Sequence, residues 1–299
     1  MRRRSLLATL GVGLASVAGC SNTPSDGSTA TPDDGPTATG TAPRGSADSF
    51  EFVGVDAPER VQLNATYRFH VTVRNTGDRR LTFTSPISVR SGDGQWQPIS
   101  QPLEVEVPPG ETATWDSPRA KQLFLGTYEF RLDALGARWT LEAVPRTLAF
   151  GARHRTPTNL SVNALGGKFE SQFPPTDADS SESTATGTAT STPTPTPVAA
   201  PDGETWLVVP VRVRNYRRSA QQIPAADTFS LHVDDETYAP QSVESATSRY
   251  HSVSLGGRTI YQQPLVFAVP EGTTAAEVAV EWTQSYAQGD VTVRWRTNA

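Results

Sequence analysis

The sequence predicts an all-β protein with two tandem antiparallel β-sandwiches behind a signal peptide and a tether. Apolar and polar residues alternate at period two, as in Tyr67–Val73 and Leu207–Val213. Turn-forming pairs such as Asp234-Asp235 and Gly256-Gly257 separate these stretches at short intervals. No extended stretch beyond Cys20 has a helical period. Many short strands at such spacing are typical of antiparallel sandwiches.

The N-terminus has the features of an export signal. Arg2, Arg3 and Arg4 precede an uncharged stretch from Leu6 to Ala18. As a helix, at about 1.5 Å per residue, this stretch would span roughly 20 Å, less than the ~30 Å hydrocarbon core of a bilayer. It is therefore the apolar region of a signal peptide rather than a permanent membrane span.

The end of this segment resembles the lipobox of prokaryotic lipoproteins, in the run Val17-Ala18-Gly19-Cys20. The resemblance implies that residues 1–19 are removed and that Cys20, the only cysteine, is lipidated. The alternative is a plain signal peptide with an incidental cysteine. Arg3-Arg4-Ser5-Leu6-Leu7 resembles a twin-arginine signal, which carries folded proteins. An ordinary secretory signal also begins with positive charge, so the export route stays open.

The charge of the chain argues against two classes of partner. Without residues 1–19 the chain has 23 basic and 31 acidic side chains, a net charge of −8. This balance argues against nucleic acid and against a basic patch on anionic lipid. The basic residues are 24 arginines and two lysines. With the Thr/Asp/Gly/Pro-rich spacers, this composition resembles haloarchaeal cell-surface lipoproteins.

Two tracts have almost nothing to bury. Residues 20–47 are predicted to be a disordered tether, whose root-mean-square reach at ~5–6 Å × √n is about 30 Å. Residues 177–201 contain a Thr-Pro alternation that favours extended chain and cannot join a sheet ladder. The predicted sandwiches are residues 48–145 and 146–299. The second tract is either an insertion within the latter or an interdomain linker.

An internal repeat supports two copies of one plan, since Val71-Thr-Val-Arg-Asn75 reappears as Val211-Arg-Val-Arg-Asn215. Residues 48–142 resemble the Ig-like domains of prokaryotic surface proteins, including a cell-adhesion-related domain, through Val71–Gly77, Val107–Trp115 and Gly126–Leu132. Residues 146–299 resemble an Ig-like extracellular domain of unknown function in bacterial and archaeal lipoproteins. The matching pieces are Asn159–Leu165, Leu207–Asn215, Phe229–Leu231, Asp234–Glu236, Tyr238–Pro240 and Val266–Pro270. Both resemblances imply Ig-like sandwiches, and the second family supplies no catalytic residues.

The sequence contains no catalytic constellation, cofactor motif or metal motif. The histidines form no His-x-x-x-His pattern, and lipidation of Cys20 would leave no thiol for a metal site. They are His70, His154, His232 and His251. His232 precedes Asp234-Asp235-Glu236, which indicates a carboxylate–histidine contact or a calcium-binding turn. A plain hairpin turn is favoured, because calcium needs six or more oxygens. We expect the protein not to be an enzyme.

The tryptophans are the aromatic candidates for a binding role. Trp139, Trp282 and Trp295 share the parity of apolar neighbours and are predicted to be core residues. Trp96 and Trp206 remain open, either as core or as ligand-contacting rings. Asn64-Ala-Thr66 and Asn159-Leu-Ser161 are glycosylation sequons, so Asn64 and Asn159 are candidate modification sites.

These features favour a lipid-anchored binding or structural module on the extracytoplasmic face of the cell membrane. Its expected partners are the membrane, through the anchor, and another cell-surface protein or glycan. We expect contact through edge strands or loop tips, with the turns around Asp93, Asp235 and Gln288 as candidate surfaces. The alternative is an extracytoplasmic solute-binding protein or hydrolase whose site is assembled from loops.

Overall fold

A computed structural model describes residues 42–173, 196–243 and 249–297. Cys20, the predicted signal peptide of residues 1–19 and most of the predicted tether lie outside this described part, as do residues 177–195 of the Thr/Pro-rich tract. From Ala42 onward the chain forms one compact unit. No helix in the described ranges has the length and apolar character needed to cross a membrane.

The all-β prediction is confirmed: the described residues form strands and two single-turn 3₁₀ helices, Ala47–Ser49 and Ala226–Thr228. The strands are β1 (Phe50–Asp56), β2 (Arg60–Gln62), β3 (His70–Asn75), β4 (Leu81–Ser85), β5 (Ile87–Ser91), β6 (Gln97–Pro98), β7 (Leu103–Val107), β8 (Thr112–Asp116), β9 (Gly126–Leu132), β10 (Ala137–Val144), β11 (Arg146–Ala149), β12 (His154–Arg155), β13 (Leu160–Ala164), β14 (Lys168–Glu170), β15 (Gln172–Phe173), β16 (Val198–Ala199), β17 (Glu204–Asn215), β18 (Gln221–Gln222), β19 (Phe229–Val233), β20 (Glu236–Tyr238), β21 (Ser254–Leu255), β22 (Ile260–Pro270), β23 (Val278–Tyr286) and β24 (Gly289–Arg296).

Strands β1 to β10 form the N-terminal sandwich. One five-stranded sheet has the order β2-β10-β9-β5-β6, and the opposing strands form the sheet β1-β3-β8 and the pair β4-β7. The period-two pattern places Val71 and Val73 wholly in the core while Arg74 is exposed. Trp139 belongs to the same core, which confirms its prediction.

Strands β11 to β24 form the C-terminal sandwich. One sheet has the order β11-β24-β23-β19-β20, and the other has the order β12-β13-β17-β14 with β22 paired to β17. Trp282 and Trp295 are completely buried between the sheets, as predicted. Strand β17 is apolar on both faces over part of its length, because Trp206 and Leu207 pack in different clusters.

Each sandwich has one parallel edge pair within its otherwise antiparallel main sheets. Strand β2 runs parallel to β10, and β11 runs parallel to β24. Both short strands lie beside the last strand of their sandwich, which already pairs antiparallel with its hairpin partner on the other side. Alternating hydrophobicity reports which face of a strand is buried and carries no information on strand direction.

The two copies of the repeat end in the same structure. Asn75 and Asn215 are both fully buried at the ends of β3 and β17. Asn75 Nδ2 donates to Arg79 O and Val107 O, and its Oδ1 accepts from Gly77 N. Asn215 likewise donates to the residue four positions on and to a distant loop, and its Oδ1 accepts from the amide two positions on. The repeated asparagine therefore closes an equivalent turn in each half.

Both spacer tracts adjoin paired chain. Within the predicted tether, residues 42–45 run along Thr82, whose amide donates to Pro43 O and whose hydroxyl donates to Ala42 O. At the second tract, Phe173 in β15 pairs with Val198 in β16. Strands β13 and β14, before the tract, pair with β17, after it.

The junction between the sandwiches is short and packed. Pro145 alone separates β10 from β11. Leu63 and Ala143 from the N-terminal half are buried in the C-terminal core. Leu125 N donates to Asp290 O at 2.8 Å across the junction. The two halves therefore share part of one core.

Candidate binding surfaces

Trp96 lies on the outer face of the five-stranded N-terminal sheet, and three arginines surround its ring. The guanidinium carbons of Arg90 and Arg131 lie 4.7 and 4.6 Å from the ring centroid, and that of Arg138 lies 5.7 Å away. These arginines come from β5, β9 and β10, whose outward positions stand side by side. The Trp96 surface, as we call these four residues, is half-exposed at the indole.

Carboxylates hold these arginines in place. Glu129 accepts from Arg90 and Arg138, and the hydrogen bond from Arg90 is the largest cause of its lowered pKa. Arg131 Nε donates to Asp133 at 2.7 Å. Burial opposes ionisation of Asp133, but hydrogen bonds from Ser88 and Arg131 outweigh it and lower the pKa. The surface therefore presents a flat ring on a rigid, largely neutralised polar frame.

Such a surface suits contact with a flat ligand or a protein. Tryptophan and arginine are the residues most enriched at energetic hot spots of interfaces. A partly exposed indole held by guanidinium stacking loses little conformational freedom on binding.

The remaining predicted surface features divide between core and exterior. Trp206 is a core residue, 6% exposed, and its Nε1 donates to Val198 O at 3.0 Å. The turns at Asp93, Asp235 and Gln288 are all exposed. Asp234 and Asp235 form the two-residue turn between β19 and β20, with Asp234 at φ 50°. This confirms the hairpin interpretation of the acidic run.

Three of the four histidines lie at or near the surface. His70 Nδ1 lies 2.6 Å from Asp116 Oδ1 on neighbouring strands. His232 Nε2 lies 3.6 Å from Glu281 Oε1, which is the carboxylate–histidine contact considered from the sequence, although its partner lies outside the acidic turn. His251 adjoins a cavity of about 340 Å³, and Asp227 is the only carboxylate among its described lining residues. Over the described ranges, no three His, Cys, Asp or Glu side chains group as a metal site would require.

His154 is completely buried at the sandwich junction. Burial lowers its pKa to about 4, and the nearby Arg146 charge adds to the effect. Its Nε2 lies 3.4 Å from Asn64 Nδ2, and its Nδ1 has no partner in the described structure. The ring is therefore neutral at pH 7. In the sequence His154 lies between Arg153 and Arg155, and this setting gives no indication that the ring is buried.

The two sequon asparagines lie at the same junction. Asn64 and Asn159 both have positive φ, at 58° and 68°. Asn64 Nδ2, the atom that a glycan would occupy, donates to Arg155 O at 2.9 Å. Asn159 is exposed and uses its Oδ1, which accepts from Arg155 Nε. Glycosylation in the folded state is therefore compatible with Asn159 and would break a hydrogen bond at Asn64.

No family model and no curated protein matches the chain. It is similar to an uncharacterized β-sandwich protein of Clostridium difficile at 11% identity and TM-score 0.34, over 51% of this chain and 95% of that one. It is also similar to the candidate lipoprotein ycdA of Bacillus subtilis, at 16% identity and TM-score 0.32, over 49% of this chain and 39% of that one. A red sea bream transglutaminase matches at 10% identity and TM-score 0.31, over 84% of this chain and 31% of that one. At these scores the likenesses carry no argument about function.

Proposed function

We propose that the chain is a lipoprotein anchored through Cys20 on the outer side of the cell membrane, where its sandwiches act as a noncovalent binding module. The lipobox-like run before Cys20 and the predicted tether support the anchor. The Trp96 surface supports the binding role and is the observation that carries it. The partner we expect is another cell-surface protein or a glycan.

The domain organisation that we propose follows the strand pairing. An N-terminal Ig-like sandwich covers residues 48–145 and a second covers residues 146–299. The tract at 177–201 is then an insertion in the second sandwich, because β13 and β14 on one side of it pair with β17 on the other. A linker between independent domains would not have its flanking strands in one sheet.

The binding role is tested by a pull-down from native membranes. The full chain carrying Trp96→Ala is the bait, and the amount of partner it captures is compared with that captured by wild type. Losing a hot-spot tryptophan costs about 2 kcal/mol or more, so capture of the partner should weaken about thirtyfold. Ile260→Ala is the control, because Ile260 is also a large exposed apolar side chain (56%) and lies in β22 of the C-terminal sandwich; it should capture the partner as wild type does. Equal capture by wild type and Trp96→Ala would show that the Trp96 surface is not the binding surface.

The anchor is tested separately with Cys20→Ser. The variant should leave the membrane fraction or accumulate with its signal peptide uncleaved. A Cys20→Ser chain that is processed and still bound to membranes would mean that something other than this cysteine holds the protein there.

A further inference from the structure

A cleft at the sandwich junction is lined by four cationic side chains and by no carboxylate. They are Lys121, Arg146, Arg153 and Arg155, in a cavity of about 320 Å³. Lys121 comes from the N-terminal half and the arginines from the C-terminal half. None of the four has an acidic partner within 4.0 Å among the described residues. Six arginines elsewhere in the described chain do have one: Arg60, Arg80, Arg90, Arg131, Arg138 and Arg294.

This concentration of positive charge runs against the charge of the chain. The processed chain would carry a net charge of −8. One of its two lysines and three of its arginines nevertheless line a single concavity without neutralisation. Like charges gathered this way repel one another and reduce stability, so a bound anion would relieve a cost that the free protein bears.

Two of the four cations, Arg146 and Arg155, are held in place by the protein itself. Arg155 stacks on Tyr216 at 4.6 Å and donates from Nε to Asn159 Oδ1 at 3.1 Å. Arg146 Nη1 lies 3.4 Å from Leu63 O, and burial lowers the pKa of its guanidinium. A partly desolvated arginine without a carboxylate binds an oxyanion more strongly than a solvated one does. Lys121 and Arg153 are exposed at the opening and have no side-chain hydrogen bond among the described residues.

Two unusual backbone positions frame the same cleft. Asn64 and Asn159 both line it, and both have the left-handed conformation that is uncommon outside glycine. Asparagine adopts this conformation more readily than other non-glycine residues, and each position forms a hydrogen-bonded turn at the rim of the cleft. Neutral, fully buried His154 lies behind Asn64 and brings no negative charge to the site.

We propose that this cleft binds a multiply charged tetrahedral oxyanion, a phosphate or sulfate group, bridging the two halves of the chain. A single carboxylate needs one bidentate arginine, whereas four cations match a group that carries two negative charges on several oxygens. The phosphate could be free or part of a lipid or polymer headgroup. This inference stands independently of the Trp96 surface, and failure of one leaves the other untouched.

The test uses the full chain in a zwitterionic detergent and measures its thermal unfolding midpoint. Inorganic phosphate is titrated against sodium chloride at matched ionic strength, and a second arm uses mixed micelles with and without phosphatidic acid, whose phosphomonoester can carry two negative charges. We expect the midpoint of the wild type to rise with phosphate concentration beyond the chloride series, as binding to the folded state requires. A response to free phosphate assigns the site to the phosphate group itself. A response to phosphatidic acid micelles alone assigns it to a lipid headgroup.

The deciding variant is Lys121→Gln combined with Arg153→Gln, and Arg79→Gln is the control. Arg79 is exposed and lies in the turn after β3, so its substitution removes one positive charge at a position away from the cleft. The double variant should bind phosphate at least tenfold more weakly, while Arg79→Gln responds as wild type does. Without ligand, the double variant should unfold at the same temperature as wild type or higher, because repulsion is relieved. The proposal fails if neither ligand shifts the wild type, or if the double variant responds equally.

Discussion

Replacing Asn75 with alanine should destabilise the N-terminal sandwich more than any other polar-to-alanine change of similar volume on its strands. The side chain makes three hydrogen bonds, at 2.7, 2.9 and 2.9 Å, and is completely buried. At about 1 kcal/mol for each bond, the loss is about 3 kcal/mol, and buried carbonyls left without donors add to it.

Asn163→Ala is the matched control for Asn75→Ala. Asn163 is 3% exposed, but among the described residues its side chain makes a single long hydrogen bond, from Nδ2 to Gly151 O at 3.3 Å. We expect it to cost about 1 kcal/mol, so the two variants should differ by about 2 kcal/mol. Asn75→Asp should be at least as damaging as alanine although it keeps the acceptor for Gly77 N, because it buries a carboxylate oxygen against the carbonyl oxygens of Arg79 and Val107.

The assay is equilibrium urea unfolding followed by tryptophan fluorescence, with the free energy of unfolding extrapolated to water. Asn215→Ala should give a loss similar to that of Asn75→Ala if the repeated turns are equivalent. The reasoning is refuted if Asn75→Ala and Asn163→Ala lose the same stability within error, since the asparagine turn would then contribute nothing beyond one ordinary bond.

Three further predictions concern the junction and the Thr/Pro-rich tract. His154 has a folded pKa of about 4 against about 6.5 unfolded, so its stabilising contribution is complete above pH 6.5 and is lost as pH falls towards 4. In urea titrations, wild type should therefore lose about 2 kcal/mol more stability between pH 7.5 and 5 than His154→Gln, and equal losses would contradict this reasoning. Limited proteolysis within 177–201 should nick the chain and leave the fragments associated through β13, β14 and β17, and recovery of a folded 202–299 fragment alone would contradict this. Peptide mapping of protein from its native host should find any N-glycan at Asn159 rather than Asn64, and a glycan at Asn64 alone would count against modification of the folded chain.

Features that depend on local pattern could be predicted from the sequence. The alternation around Val71 and around Val209 identifies strands because the pleat sends successive side chains to opposite faces. Asp234-Asp235 was predicted as a turn and is one, and the parity of Trp282 and Trp295 with valines placed them in the core.

Features that depend on distant contacts could not be predicted. Trp206 has the opposite parity to Leu207, and only the packing of Phe173 and Val266 against it makes that second face apolar. The Trp96 surface needs arginines from β5, β9 and β10 on one face of the sheet. The alternation of apolar and polar residues does not predict which strands are neighbours in a sheet. The cationic cleft joins Lys121 to arginines of the next sandwich, so no single sequence window contains it.

The parallel pair at the C-terminal edge has a consequence for the timing of synthesis and export. Arg146 in β11 pairs with Val293 in β24, and β24 also contributes Trp295 to the core. The C-terminal core therefore cannot close until the ribosome has passed Arg296, although the predicted signal peptide emerges first. An export machinery that accepts only folded cargo, as the twin-arginine resemblance implies, would have to leave this chain waiting in the cytoplasm until translation of β24 is complete.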